Sequence, residues 1–171
     1  MNINEYQNYH ETKAHTSAEF PYNTYLCSIP LDFPGVPLHW HDELELVVIK
    51  RGQGFVSVDF DKRLVHSGDL IIIPPRCLHA IEQDDTFKME YENIIFKPDL
   101  LSSGANDLCM IQYIVPLLDG SLPIEYFLTP ALGSFEALSN CIRQIDLVCA
   151  DQTPGWQLAV KSSLFNFFFL L

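Results

Sequence analysis

Positive charge is what this 171-residue chain has least of: 10 Lys and Arg stand against 22 Asp and Glu, a formal charge of −12. So acidic a surface repels phosphate, which excludes a grip on DNA or on an anionic membrane by this segment alone. No C-x-x-C pair occurs among the five cysteines, Cys27, Cys77, Cys109, Cys141 and Cys149. An odd, scattered set excludes a disulfide framework or a zinc knuckle and fits reduced thiols. The polar start MNINEYQNYHETKAHTSAEF lacks a basic end followed by an apolar stretch, so it does not read as a signal peptide. The longest apolar ending, LFNFFFLL, falls short of the ~20 residues a membrane helix needs. The expectation is a cytoplasmic protein without a membrane partner. No internal repeat or low-complexity tract is visible. What is present is an ordinary globular composition, 48% hydrophobic and 19% charged, sized for one compact core with a short appendage.

Residues 1–19 are polar and aperiodic, and read as an arm. From Phe20 to about Lys97 short β-type runs follow one another: YLCSI, ELELVVIK, FVSVDF, RLVHS, DLIIIP, HAIEQ and KMEYENIIFK. Gly35, Gly52, Gly54, Gly68 and Pro74-Pro75 punctuate them. Many short strands at this spacing predict an antiparallel sandwich or barrel, with a hairpin turn at Phe60-Asp61-Lys62. After Lys97 the stretch NDLCMIQYIVPLLDG suggests a helical turn or two, and PIEYFLT a last strand. Ser134 is placed to cap a helix reaching about Ala150, because Phe135, Leu138, Ile142, Ile145 and Cys149 recur at helical spacing. Thr153-Pro154-Gly155 then opens a second helix, Trp156 to Leu171, with a wide apolar face. The predicted layout is an arm (1–19), a β-barrel (20–130) and a helical segment (131–171). Leu138, Ile142, Ile145 and Cys149 form a candidate dimerisation face, with docking on the barrel's outer wall as the alternative. The ending Phe169-Leu170-Leu171, which has no polar stop, is expected to belong to a helix buried in a longer chain.

Four residues carry the candidate chemistry. His39-x-His41-x3-Glu45 precedes a strand, and His79 follows the Pro-Pro turn. Three imidazoles and a carboxylate suit one divalent Zn, Ni, Mn or Fe with positions left for water or ligand. A metal-free polar cluster that anchors an organic ligand suits the same residues. Geometry imposes a condition: a straight strand would put His39 and Glu45 ~20 Å apart at ~3.3 Å per residue. The chain must therefore bend near Asp42-Glu43. A bend one position away would substitute Glu43 for Glu45. Glu43 and Arg76 are candidate rim residues; Arg76 could clamp an anion there, and a solvated loop arginine is the favoured alternative. His10, His15 and His66 read as exposed or hairpin residues.

The string His39-x-His41-x3-Glu45-x6-Gly52 resembles the first motif of the cupin superfamily, and Gly68-x5-Pro74-x-Arg76-x2-His79-x3-Gln83 resembles the second. Gly35 lies nearer His39 than that pattern has it, Arg76 stands in place of a glycine, and Gln83 in place of an asparagine. The wording HWHDELELVVIKRGQG…HSGDLIIIPPRCLHAI, with the helical continuation, is similar to the sensor domain of AraC-type transcription regulators. That resemblance, over residues 20 to 171, implies a jelly-roll barrel (double-stranded β-helix) that binds a small effector, an arm that folds over its mouth, and helices that form a homodimer. It also implies DNA contact through helix-turn-helix units of a C-terminal domain outside this chain. On this reading the chain is no enzyme. The alternative is a small metal-dependent cupin enzyme, a dioxygenase or sugar isomerase, since a metal with open positions activates oxygen or polarises a carbonyl. A storage or structural role has no specific support.

Overall fold

A computed structural model describes residues 3–103 and 107–171. Met1 and Asn2 of the predicted arm, and Asn106 at the head of NDLCMIQYIVPLLDG, lie outside the described residues. A short helix α1 (Ile3–Gln7) precedes strands β1 (Tyr22–Ile29), β2 (Gly35–His39), β3 (Leu44–Val58), β4 (Asp61–His66), β5 (Leu70–Ile73), β6 (His79–Gln83) and β7 (Met89–Phe96). A π-helical turn (Met110–Ile114) runs into α2 (Val115–Leu118), followed by β8 (Phe127–Leu128), α3 (Phe135–Asp151) and α4 (Trp156–Leu170). No helix among the described residues is long and apolar enough to cross a membrane.

Two antiparallel sheets share one strand. The first runs β1-β7-β3-β5-β8, and the second joins β2, β6, β3 and β4. In its first part β3 pairs β5 and β7, and in its second part β4 and β6. The sequence reads as two strands here, ELELVVIK and FVSVDF; the structure makes them one that changes sheet. Gly52 permits the change. It has φ +76°, follows a register shift between Ile49 and Arg51, and a Cβ there would meet the Lys88 carbonyl at 1.8 Å. The expected hairpin turn lies slightly earlier than predicted: Asp59 and Phe60, both at positive φ, form a two-residue connection between β3 and β4. Strand β2 was not among the predicted strands, because Pro37 interrupts a short run.

Alternation along β3 sorts its side chains to two cores. Val47 and Ile49 point between the sheets and meet Ile71, Ile73, Val56, Ile81 and Tyr91. Leu44 and Leu46 point the other way and meet α3 and α4 through Leu138, Ile142, Ile145, Val160, Leu164 and Phe167. The apolar runs are continuous because this sheet is covered on both faces.

That arrangement corrects the dimerisation face. Leu138, Ile142 and Ile145 are buried inside the chain, and the Cys149 thiol sits beside the Tyr22 hydroxyl at 3.9 Å. The helical period reported a buried face, and the barrel wall and α4 are what bury it. Ser134 occupies the position before α3, yet its hydroxyl caps nothing; its carbonyl accepts the Leu138 N–H at 3.1 Å. Gly155, at φ +88°, opens α4.

Candidate functional site

Strand β2 pairs with β6 so that His39 lies directly opposite His79. The chain bends after Trp40, and Glu45 follows on β3. The three imidazoles converge: ring centroids are 4.1 Å apart for His39 and His79, 5.0 Å for His41 and His79, and 5.7 Å for His39 and His41. One ligand nitrogen from each lies within 4.8 Å of the others. Glu45 Oε2 is 3.0 Å from His41 Nε2 and 3.3 Å from His79 Nε2. The structure thus brings the four motif residues together.

The backbone decides which nitrogen faces inward. His39 Nδ1 contacts the Pro37 carbonyl at 2.9 Å, His41 Nδ1 the Glu43 carbonyl at 3.2 Å, and His79 Nδ1 the Cys77 carbonyl at 2.9 Å. A carbonyl only accepts, so each Nδ1 holds its proton and donates. In a neutral ring the lone pair is then on Nε2, the atom turned to the centre. Buried lone pairs facing carboxylates need a proton or a cation between them.

The titration tendencies follow. Burial works against charge on His41, but the hydrogen bond and charge of Glu45 overcome it and raise its pKa. For Glu45 burial pushes upward, and the hydrogen bond from His41 together with the neighbouring His79 ring reverses this, holding it well below the usual carboxylate range. His39, desolvated and beside His79, drops to about 4. His39 is therefore neutral and ligand-ready, while His79 Nε2 is buried without a hydrogen bond. Facing Nε2 atoms, an adjacent carboxylate and Nδ1 atoms tied to carbonyls make a donor set that fits a divalent metal.

The cluster opens on a cavity of about 330 Å³ whose wall includes Lys13, Tyr25, Cys27, Tyr91 and Asn93. Among the described residues eight buried side-chain polar atoms lack a hydrogen bond, and four of them line this cavity: His15 Nδ1, His79 Nε2, Tyr91 Oη and Asn93 Oδ1.

Two site residues escaped the sequence reading. His15, expected to be exposed, is buried against Tyr25 and His41, and its Nε2 meets Glu11 Oε2 at 2.9 Å. Glu11 Oε2 also lies 3.5 Å from His39 Nε2. No motif marks either residue. The i, i+4 pairing of a carboxylate with a histidine in an otherwise aperiodic arm is the signal that was there to find.

Two predicted rim residues are placed elsewhere. The Glu43 carboxylate is buried on the far side of His41, 3.7 Å from Nδ1, so it does not replace Glu45. Arg76 is exposed and lines a separate hollow with Lys97, Asp99 and Asp119. Its backbone turns there at φ 62°, with its N–H held by the His41 carbonyl, which carries the side chain away from the cluster.

Residues 34–168 match the family model of the AraC-like ligand binding domain. The chain is 32% identical over 159 residues to YdeC, an uncharacterized HTH-type transcriptional regulator of Bacillus subtilis (strain 168), covering 92% of this chain and 54% of that protein. A second such regulator of that organism, YbfI, is 28% identical over 72 residues, 42% of this chain and 26% of its own. The chain thus spans about half the length of YdeC. Among solved structures, a cupin protein from Bacteroides fragilis is 22% identical with TM-score 0.42, over 61% of this chain and 80% of that one. A predicted oxalate decarboxylase from Thermotoga maritima is 25% identical with TM-score 0.39, over 43% and 64%.

Proposed function

The chain belongs to the AraC-like ligand-binding domain family, and from that premise we propose that it senses a small polar effector held in the cavity beside the histidine cluster. The observation that carries this is the gathering of unspent polar atoms, His15 Nδ1, His79 Nε2, Tyr91 Oη and Asn93 Oδ1, around one cavity of about 330 Å³. Each costs roughly 1–3 kcal/mol while unpaired, and a ligand with matching groups recovers it. The volume is at the small end of ligand pockets, ~300–1,000 Å³. That favours a compact, polar molecule such as a sugar or a small organic acid.

A metal, when bound, would supply a Lewis-acidic anchor for such a molecule. His39, His41 and His79 would hold it, with Glu45 beside them. Their backbone carbonyl contacts keep the rings aimed at the centre. Tyr91 and Asn93 orient the organic part.

The wider role extends the same proposal. A homodimer presents helix-turn-helix units outside residues 1–171 to DNA, and the acidic chain itself binds none. The likeness to the HTH-type transcriptional regulator YdeC, and the greater length of that protein, support this. The enzyme reading draws on the same three imidazoles. Oxygen consumption by the iron-loaded chain, or aldose–ketose interconversion, would put it first.

A thermal-shift screen of residues 1–171 against small sugars and carboxylic acids tests the sensor. A true effector at ~100 times its Kd adds ~2.7 kcal/mol, or several degrees. Asn93→Leu should remove that shift. A shift untouched by both Asn93→Leu and Tyr91→Phe would move the site away from this cavity.

A further inference from the structure

We infer that Glu11, on the N-terminal arm, is a ligand of a divalent cation at the histidine cluster, so that the metal joins arm to barrel. The inference rests on reading the cluster as metal-capable and does not depend on the effector's identity.

The arm is built into position. His10 forms a parallel bridge with Trp40, the Glu11 N–H donates to the Trp40 carbonyl at 2.9 Å, and the Trp40 N–H donates to the Tyr9 carbonyl at 2.9 Å. The Trp40 indole stacks on Tyr6 at 4.8 Å and on His10 at 4.1 Å, and its Nε1–H donates to the Tyr6 carbonyl at 2.8 Å. The Tyr6 hydroxyl donates to the Arg76 carbonyl. Farther along, Asn23 holds the His15 carbonyl at 2.9 Å. Because the arm runs beside the residue between His39 and His41, Glu11 is brought to the cluster by backbone pairing.

Spacing favours a ligand role. Donors bound at ~2.1 Å to one cation sit ~3.0–3.4 Å from each other when adjacent. Glu11 Oε2 is 3.5 Å from His39 Nε2, beside the 3.0 and 3.3 Å separations of Glu45 Oε2 from His41 and His79. That distance is long for a hydrogen bond, and the lone pair on His39 Nε2 has no proton to offer across it. A cation between them satisfies both.

Charge favours it too. Three neutral imidazoles and Glu45 leave a divalent ion with one uncompensated charge in a buried site, and Glu11 cancels it. Glu43, the other acid nearby, stands behind His41 on its Nδ1 side. His15 Nε2, 2.9 Å from the same Glu11 Oε2, fixes that oxygen beside His39, an outer contact of the kind that orients metal-bound carboxylates.

The test uses residues 1–171 without an affinity tag and Co²⁺ as the probe, followed by visible absorption. Lys13, exposed on the arm, supplies a tryptic site as a second readout. The wild-type chain should bind one Co²⁺, and binding should slow cleavage after Lys13. Glu11→Gln, which keeps the shape and a contact to His15, should weaken Co²⁺ at least about tenfold, alter the absorption band and abolish the protection. If Glu11→Gln lowers the melting temperature, Glu11→Asp serves instead, keeping the charge but withdrawing the oxygens. Co²⁺ affinity within about twofold of wild type, with band and protection unchanged, overturns the assignment while leaving the barrel metal site standing. Failure of the wild type to bind Co²⁺ stoichiometrically overturns assignment and metal reading together, and leaves the effector reading to its own screen.

Discussion

The two faces of the β1-β7-β3-β5-β8 sheet are both buried, yet they hold different material. The outer face packs Leu44, Leu46, Ile94 and Phe96 against the helices as an apolar core, with the Lys50, Glu92 and Asp146 cluster as its polar exception. The inner face begins with Val47, Ile49 and Tyr91 and ends in Glu45 among three histidines. One strand thus contributes alternately to a core that supplies stability and to a site that withholds some of it. Unpaired His79, Tyr91 and Asn93 atoms cost free energy on the inner side that the outer side offsets.

The largest test of this contrast strikes the outer face. Ile145→Asp places an unpaired charge at a fully buried position and should cost more than ~4 kcal/mol in urea unfolding, while Phe167→Ala should cost ~3–5 kcal/mol. A folded Ile145→Asp protein that merely changes its association state in sedimentation would restore the dimer face and undo the comparison.

The inner face should respond the other way. Glu45→Gln should cost only ~1–3 kcal/mol but reduce Co²⁺ affinity tenfold or more. Equal losses of stability from the two faces would show that the cluster is structural.

The inner-face cluster also responds to acidity. The folded pKa of His41 is raised above 6.5, so in the metal-free chain its contribution is present below that value and lost as pH rises through the folded pKa. Glu45 is lowered from 4.5, so its contribution is present above that value and lost only as pH falls through its folded pKa. Co²⁺ must therefore displace the His41 proton at mildly acidic pH. Titrations at several pH values should show affinity falling by up to ~tenfold per pH unit on the acid side. A flat profile would remove His41 from the ligand set.

The smallest effect is expected at the polar exception on the outer face. Lys50, partly in solvent, bridges the buried Glu92 at 2.6 Å and the partly exposed Asp146 of α3 at 3.2 Å. Lys50→Met should lower stability by ~1 kcal/mol or less, shrinking with added salt. It should leave Co²⁺ binding unchanged.

Much of this was legible before any coordinates. His39, His41, Glu45 and His79 stood out because metal-type residues are conspicuous at short spacing, and the need for a bend before Glu45 followed from strand length alone. Strand β2 was hidden by Pro37, and the unity of β3 by Gly52 and Gly54, which read as breaks although Gly52 serves as a bend within a strand. Arg76 sits where the solvated-loop alternative has it, exposed and turned at φ 62° away from the cluster.

By itself the sequence determined which residues are apolar at which period, where the chain turns, and which four side chains share a chemistry. It did not determine what covers what. Burial is non-directional, so the period of Leu138, Ile142 and Ile145 announced a buried face without deciding between a second copy and the barrel wall, which with α4 is its cover. Nor does any local pattern tie Glu11 and His15 to His39 and His41. Their meeting depends on backbone hydrogen bonds between Glu11, Tyr9 and Trp40, which exist only once the arm lies along the folded barrel.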